Sequence, residues 1–390
     1  MTITSHKKFV VPEYMTHFEC VGKDCIDSCC VGWNIHIDKK TFKKYENSKN
    51  NTVKSISNKY LVKDNENSEI AYGKLQNLNN SCPFLNEEKL CKAYDLLGKD
   101  SLSVTCSTYP RIIKNFKNFG FIAGEMSCPE VARLCINNNN LKIEKLSREK
   151  VPNIFNSKNI HSSELSKKVT DKTIKFVEKV LFEFKKNKSF FEIAGEILKI
   201  HSKVFRQNKF FFNYMESDCK QIKNQNLLIK IKILPTLLFS HFAKNSRYGE
   251  LCKKAADKSG FFKKSENEFK QDFFNIHDNK VNKFLKKNDF IMKNFFINEF
   301  LKNVEKIESS ETSFEYLIRE IFCLFDLSNF LVICNMFDNQ DKLTVDNYIS
   351  TISAVTKKIQ SSKNNINLVV EFFKKMDNNN LFKRLADFHY

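Results

Sequence analysis

Residues 18–33 read FECVGKDCIDSCCVGW, which sets Cys20, Cys25, Cys29 and Cys30 in a C-x4-C-x3-C-C run. Five more cysteines follow at 82, 91, 106, 128 and 135, so nine of the chain's thirteen fall within its first 135 residues. Packing does not require cysteine at this density, because Val or Ala fills the same volume without the redox liability. The economical explanation is a thiolate-ligated metal or iron–sulfur centre. Gly22 lets the backbone turn sharply, Pro83 stiffens the loop after Cys82, and Cys128 sits at a predicted helix N-terminus, where the dipole favours thiolate.

The spacing bears on the metal. Zinc ribbons and knuckles announce themselves as paired C-x2-C units, and none occurs here. Adjacent side chains such as Cys29 and Cys30 also point apart, which suits a larger cluster better than one tetrahedral ion. An iron–sulfur cluster, most simply 4Fe–4S, is therefore favoured, with zinc as the alternative. The C-x3-C-x2-C signature of radical S-adenosylmethionine enzymes is absent.

The N-terminus, MTITSHKKFVVPEYMTHFEC, has no apolar h-region and no small-residue cleavage site, so the expected location is the cytoplasm, where thiols stay reduced. The longest apolar stretch, residues 321–337, is interrupted by Asp326, Asn329 and Asn335, and no membrane span is expected. The net charge of +19 would suit phosphate, but the lysines are spread along the whole chain, so nucleic acid is disfavoured as a partner. Most of the 38 Phe fall on apolar helical stripes and read as core.

The length favours two domains. Residues 1–150 read as an irregular cysteine-cluster domain, with an Asn/Lys-rich polar insertion at about 46–75 and a small β-hairpin across 111–126. Ser127-Cys128-Pro129-Glu130 reads as a capping box with Ser127 as N-cap. Aperiodic residues 136–153 mark the boundary. From 151 to 390 the helical period dominates. Stripes run through Leu165, Val169, Ile174, Val177, Leu181 and Phe184, through Phe190, Ile193, Ile197, His201 and Val204, and through Val345, Tyr348, Ile349, Ile352, Val355 and Ile359. Pro235 kinks a helix over 227–242. His201 and His241 read as core histidines, and Cys219, Cys252, Cys323 and Cys334 as buried thiols. The expected fold is mainly α, with an all-helical C-terminal domain.

Several blocks carry a resemblance: Pro12-Glu13-Tyr14, Phe18-Glu19-Cys20, Asp24-Cys25, Cys29-Cys30-Val31-Gly32-Trp33, Cys82-Pro83-Phe84-Leu85, Leu90-Cys91, residues 105–111 (TCSTYPR) and residues 127–134 (SCPEVARL). Over about the first 135 residues their order and context resemble the bacterial flagellin lysine-N-methylases. A wider group of zinc- or iron-chelating cysteine-cluster proteins shares some of these blocks, whereas the Trp33 context and the SCPEVARL block favour the methylases. The resemblance implies methyl transfer from S-adenosylmethionine to surface lysines of flagellin by a protein holding an iron–sulfur cluster. Carried over by position, the ligand candidates are Cys20, Cys25, Cys29, Cys30, Cys82, Cys91 and Cys106, with Cys128 next.

Lysine is cationic at neutral pH and must lose a proton before it attacks a sulfonium carbon, so a base or a desolvating pocket is required. Tyr109, Tyr94, His36, Asp38 and Glu125 are the polar candidates closest in sequence, and spacing singles out none as catalytic. Arg111, beside the Tyr109-Pro110 corner, is a candidate anchor for the donor carboxylate, with Tyr109 next to it. Arg133 reads as surface charge and Trp33 as a core anchor. With nine Gly and no G-x-G, the doubly wound methyltransferase fold is not in view. The competing function is a non-catalytic metal-binding or redox-sensing protein, separable by donor binding.

Overall fold

The computed structural model describes residues 8–64, 68–69, 71–116, 119–151, 170–205, 246–307, 311–338, 342–360 and 367. Strand β1 (Lys8–Pro12) carries the apolar run Phe9-Val10-Val11, all buried. A run without polar alternation belongs in the middle of a sheet, covered on both faces. Helix α1 (Glu13–Thr16) follows at once.

After the cysteine loop, β2 (Ile35–Ile37), α2 (Lys39–Glu46), α3 (Asn51–Tyr60), β3 (Leu61–Lys63) and β4 (Gly73–Leu75) form a small unit whose strands pair antiparallel in the order β2-β4-β3. Short helices α4 (Lys92–Leu97) and α5 (Val104–Thr108) complete it. Its own core gathers Ile35, Ile37, Phe42, Tyr45, Val53, Leu75 and Phe84. The polar insertion therefore does more than loop over the surface: α3 buries Val53 and Ser57, and β3 adds an edge strand. Gly73 admits no side chain, since a Cβ there would stand 2.4 Å from the Phe42 ring.

Strands β5 (Arg111–Asn115) and β6 (Phe119–Gly124) pair antiparallel from Arg111↔Gly124 to Asn115↔Gly120, which is the expected hairpin. It belongs to something larger. After α6 (Pro129–Ile136), β7 (Ile143–Ser147) closes a four-stranded sheet ordered β5-β6-β1-β7, with β6 parallel to β1. A parallel pair needs a long connection, and the cysteine unit is inserted in that connection. The N-terminal region is thus mixed β/α rather than irregular.

The helical part comprises α7 (Asp171–Phe184), α8 (Phe190–Phe205), α9 (Arg247–Ser259), α10 (Glu266–Ile276), a π-helical turn (His277–Val281), α11 (Asn282–Lys287), α12 (Phe290–Lys302), α13 (Glu311–Asn335) and α14 (Val345–Gln360). The protein is mainly helical, as expected. The stripes of α8 and α14 are buried as read, with Val204 and Val345 only half-buried, whereas the buried side of α7 centres on Phe176 and Val180, leaving Ile174 half-buried. Leu165, Val169, Pro235, His241 and Cys219 lie outside the described residues. No described helix is long and apolar enough to cross a membrane.

The sheet of β1 and β6 shares a single hydrophobic core with the helices, running from Phe9 to Ile359. Helix α12 is its spine, buried along almost its whole length. Asn294, Asn298 and Lys302, four residues apart, form a polar ladder on this helix. Asn294 Nδ2 donates to the carbonyls of Cys135 and Asn138, while Asn298 Nδ2 donates to the Gly124 carbonyl at 2.8 Å. Asn298 Oδ1 accepts from Gly124 N–H at 3.0 Å and from Tyr14 Oη at 2.6 Å. Asn298→Leu would strand three buried polar groups. A loss of about 3 kcal/mol of stability is expected, read as a lower urea midpoint at unchanged slope.

His201 is the expected core histidine. Its ring stacks on that of Phe314, centroids 3.8 Å apart and planes nearly parallel, and burial pushes its pKa down to about 4. A depressed folded-state value means that the unfolded chain takes up the proton first. This stability is therefore complete above about pH 6.5 and falls away as pH drops toward 4. His201→Phe should flatten the acid limb of stability between those values in denaturant melts, whatever its effect at pH 7.

Candidate functional site

Backbone hydrogen bonds gather the cysteines. Cys82 N–H donates to the Cys30 carbonyl at 2.7 Å, Gly32 N–H donates to the Asn80 carbonyl at 2.8 Å, and Val31 bridges Ser81. These contacts zip the loop of residues 20–33 against the Cys82-Pro83-Phe84-Leu85 segment. Gly32, at φ +92°, takes a conformation that other residues rarely adopt. Leu85 bridges Cys91, which caps α4. Asp38 then fixes α5: one carboxylate oxygen accepts from Thr41 N–H at 3.0 Å and the other from Val104 N–H at 2.9 Å. The Tyr45 hydroxyl adds a bond to the Ser101 carbonyl, and Cys106 is thereby brought to the same place.

The thiols fall into two linked groups. Cys29, Cys30 and Cys82 are hydrogen-bonded through their sulfurs, and Cys91 and Cys106 lie within electrostatic reach of Cys29. Cys20, Cys25 and Cys128 form the second group, with Cys25 reaching Cys29. Tyr109 stands at the seam, within reach of both Cys128 and Cys29. All eight sequence-derived ligand candidates are therefore in one neighbourhood. Cys135 is apart from them, fully buried in the main core with its thiol 3.4 Å from the Asn294 carbonyl, and Cys252, Cys323 and Cys334 are buried as expected.

Burial raises the pKa of Cys25, Cys91, Cys106 and Cys128. It pushes Cys106 and Cys128 up to about 12, and Cys29 is raised first by its hydrogen bond with Cys30 and then by burial. At Cys128 the N–H groups of Val131 and Glu130 at the start of α6 act in the opposite direction, so the expected helix-terminus effect is present but outweighed. The donors suit a soft metal in type and in number. In the arrangement they hold, no three His, Cys, Asp or Glu side chains among the described residues form a coordination sphere.

Ser127 does not cap α6 as the sequence implied. Cys128 is the N-cap, without a side-chain cap bond, and Pro129 opens the helix. Ser127 Oγ instead meets the Tyr109 hydroxyl at 3.1 Å, and Glu130 turns to Arg133 at 2.6 Å on the surface. Arg111 packs its guanidinium 4.8 Å over the Phe18 ring and donates from one terminal nitrogen to the Phe18 carbonyl at 3.3 Å. Its Nε is buried with no partner among the described residues, and Cys20 and Cys128 are close by. Trp33 is half-buried beside Tyr109, ring centroids 6.2 Å apart, and donates to the Cys29 carbonyl.

The candidate bases fare differently. Asp38 has both oxygens committed to backbone, Glu125 faces Lys302 at 3.1 Å, and His36 lies 3.7 Å from Asp64. Tyr94 is exposed, while Tyr109 is held well above the ordinary tyrosine range, first by burial.

Sequence reasoning missed two cations contributed by the helical part. Lys357 on α14 contacts Asp27 Oδ2 at 2.9 Å and the Ser28 carbonyl at 2.8 Å, and Arg247 on α9 donates to the Ile26 carbonyl at 3.2 Å. A cavity of about 60 Å³ lies between these side chains and Gly32. A larger one, about 360 Å³, opens beside the π-helical turn and the start of α12, but its lining holds no cysteine. Several of its polar groups are engaged, Asp289 with Phe190 N–H and Lys293, Lys188 with Glu183, and His277 with Asp278. Spacing gave no signal for Lys357 or Arg247, whose partners are more than two hundred residues away. The Asn294-Asn298-Lys302 ladder did carry one, as a polar period-four row inside an apolar helix.

Comparison with known proteins adds a family. The model of the FliB lysine N-methylase C-terminal domain matches residues 121–385. The flagellar biosynthetic protein FliU of Salmonella muenchen is 41% identical over 128 residues, 32% of this chain and 75% of that protein. The lysine-N-methylases of Salmonella choleraesuis and Salmonella typhimurium are each 39% identical over 128 residues, and the match spans only 32% of their length. No solved structure matches. With the family model covering well over half of its residues, the chain belongs to the FliB lysine N-methylase family.

Proposed function

We propose that this protein transfers methyl groups from S-adenosylmethionine to the ε-amines of lysines on flagellin, in the cytoplasm, at the seam between the cysteine unit and the four-stranded sheet. Family membership supports the reaction class. The observation that carries the location is the buried, unpartnered Nε of Arg111 beside the two thiol groups and Tyr109. A buried guanidinium N–H without an acceptor is costly, and a bound carboxylate is the acceptor this geometry suits. The donor's amino-acid end supplies one.

In the reaction the lysine nitrogen, as free amine, attacks the methyl carbon. The carbon–sulfur bond breaks, its electron pair stays on sulfur, and the neutral thioether departs. The ammonium proton must leave before attack. A protonated Tyr109 does not take it, so desolvation of the incoming lysine, or a base brought with the substrate, lowers that barrier. Trp33 and Tyr109 offer aromatic surface to the sulfonium, whose positive charge is attracted to ring faces.

The eight thiols are candidates to hold an iron–sulfur cluster, with Cys29, Cys30, Cys82, Cys91 and Cys106 as one set and Cys20, Cys25 and Cys128 as the other. Such a group would supply a rigid thiolate–iron core that cross-links the loop to α4 and α5.

Two outcomes are expected. Anaerobically purified protein incubated with the donor and its cognate flagellin should add mass to flagellin in steps of one methyl, with iron and acid-labile sulfide in the protein. Zinc without iron would overturn the cluster, and an unchanged flagellin mass the activity. Arg111→Met should weaken binding of S-adenosylmethionine by roughly 10- to 100-fold, the worth of a charged hydrogen-bond pair, while leaving its decarboxylated analogue unaffected in calorimetry.

A further inference from the structure

The cysteine loop has little structure of its own between the 3-10 turn at Gly22–Asp24 and the bridge at Val31. Its middle is held from far along the chain. The Lys357 ammonium sits between Asp27 Oδ2 and the Ser28 carbonyl, at 2.9 and 2.8 Å, with side chains 16% and 11% exposed for Lys357 and Asp27. A pair this enclosed is not the screened surface type that contributes little, and its ammonium is also hydrogen-bonded to backbone. The stem of Lys357 runs past Gly32, where a Cβ would stand 3.6 Å from its Cε. Arg247 adds a bond to the Ile26 carbonyl and is itself braced on α14 by Ser350 at 2.6 Å.

We infer that Lys357 and Arg247 are positioning residues through which the helical part holds the loop that presents Cys25, Cys29 and Cys30; the inference rests on the reading of that loop as part of the functional site. The Ser28 carbonyl is the shared point. It accepts from Lys357 and also from Val31 N–H, while Cys30 N–H donates to Ser28 Oγ. Releasing Lys357 therefore loosens the turn that sets the directions of Cys29 and Cys30. The coupling is reciprocal by linkage: whatever fixes the thiols also favours α14 in place.

Hydrogen exchange on the full chain tests this, comparing wild type with K357M, K357R and D27N. The amides of residues 26–33 should exchange about tenfold faster in K357M and in D27N, the equivalent of one lost charged contact. K357R should restore most of the protection, and K357M/D27N should go little beyond either single variant. Unchanged exchange at 26–33 in both single variants overturns the inference, as does full additivity in the double. If K357M also accelerates exchange across α12, it is a folding variant, and D27N, which lies on the loop and outside the core, decides. Methyl transfer is scored separately in wild type: its absence counts against the methylase reading and leaves the exchange result standing, whereas transfer with no exchange response removes the positioning role alone.

Discussion

Asn298 ties helix α12 to the sheet and to α1 through its side-chain amide. One oxygen takes both Gly124 N–H and the Tyr14 hydroxyl, and the nitrogen donates to the Gly124 carbonyl. Strand β6 ends at this point, so its last peptide is pinned to α12 on one side and to α1 on the other. Gly124 permits the approach, because a Cβ there would stand 2.5 Å from Val131 and 2.9 Å from Met15 and Tyr14. From this anchor the chain has only four residues to reach Cys128. Glu125 N–H donates to the Pro110 carbonyl on the way, and Cys128 N–H to the Glu125 carbonyl. The Tyr109-Arg111 corner and the Cys128 thiol thus inherit their places from a contact in the core.

A charged network extends the same seam. Lys302 meets Glu299 at 2.8 Å, Glu125 at 3.1 Å and the Gln360 amide oxygen at 2.9 Å, and Gln360 returns a bond to Glu299. Burial acts to lower the Lys302 pKa, but Glu125 and Glu299 outweigh it and raise it. Glu299 is raised, chiefly by burial, with Lys302 opposing. Such a group adds little stability over a well-packed apolar cluster, yet breaking it leaves an uncompensated buried charge. Its physical role is register: it accepts one alignment of α12, α14 and the end of β6. Lys357 lies one helical turn before Gln360, so the alignment that satisfies Glu299 also delivers Lys357 to the cysteine loop.

Legibility in the sequence followed the range of the interaction. The β5–β6 hairpin and the faces of α8 and α14 are local patterns, and periodicity found them. The convergence of eight cysteines was legible because local density and Pro and Gly punctuation are chemical signals that need no tertiary model. Ser127 shows the limit. Ser-x-x-Glu before an apolar run is a sound local rule, but a tertiary partner, the Tyr109 hydroxyl, took the hydroxyl and left Cys128 as N-cap. Asp38, one of several polar residues near the thiols that spacing left without a role, is a double cap joining α2 to α5. The parallel pairing of β1 with β6 spans more than a hundred residues, and no window of sequence carries it.

The insertion of the cysteine unit between β1 and β6 has a mechanical consequence. Its two ends leave and re-enter one sheet, so the unit is tethered at both ends, by Phe18 to Cys20 and by Cys106 to Arg111. It has its own small core, and the contacts that join it to the larger body include the hydrogen bonds of Lys357 and Arg247 to the loop and the Trp33–Tyr109 ring pair. An apolar joint would be strong and indifferent to small changes at the thiols. A joint of hydrogen bonds and ion pairs is directional, and a shift of an ångström in the loop breaks it. The geometry of the thiols and the docking of the unit are therefore one variable. Anything that draws the sulfurs together, a metal centre included, acts also on Arg111 and Lys357 at the two sides of the seam.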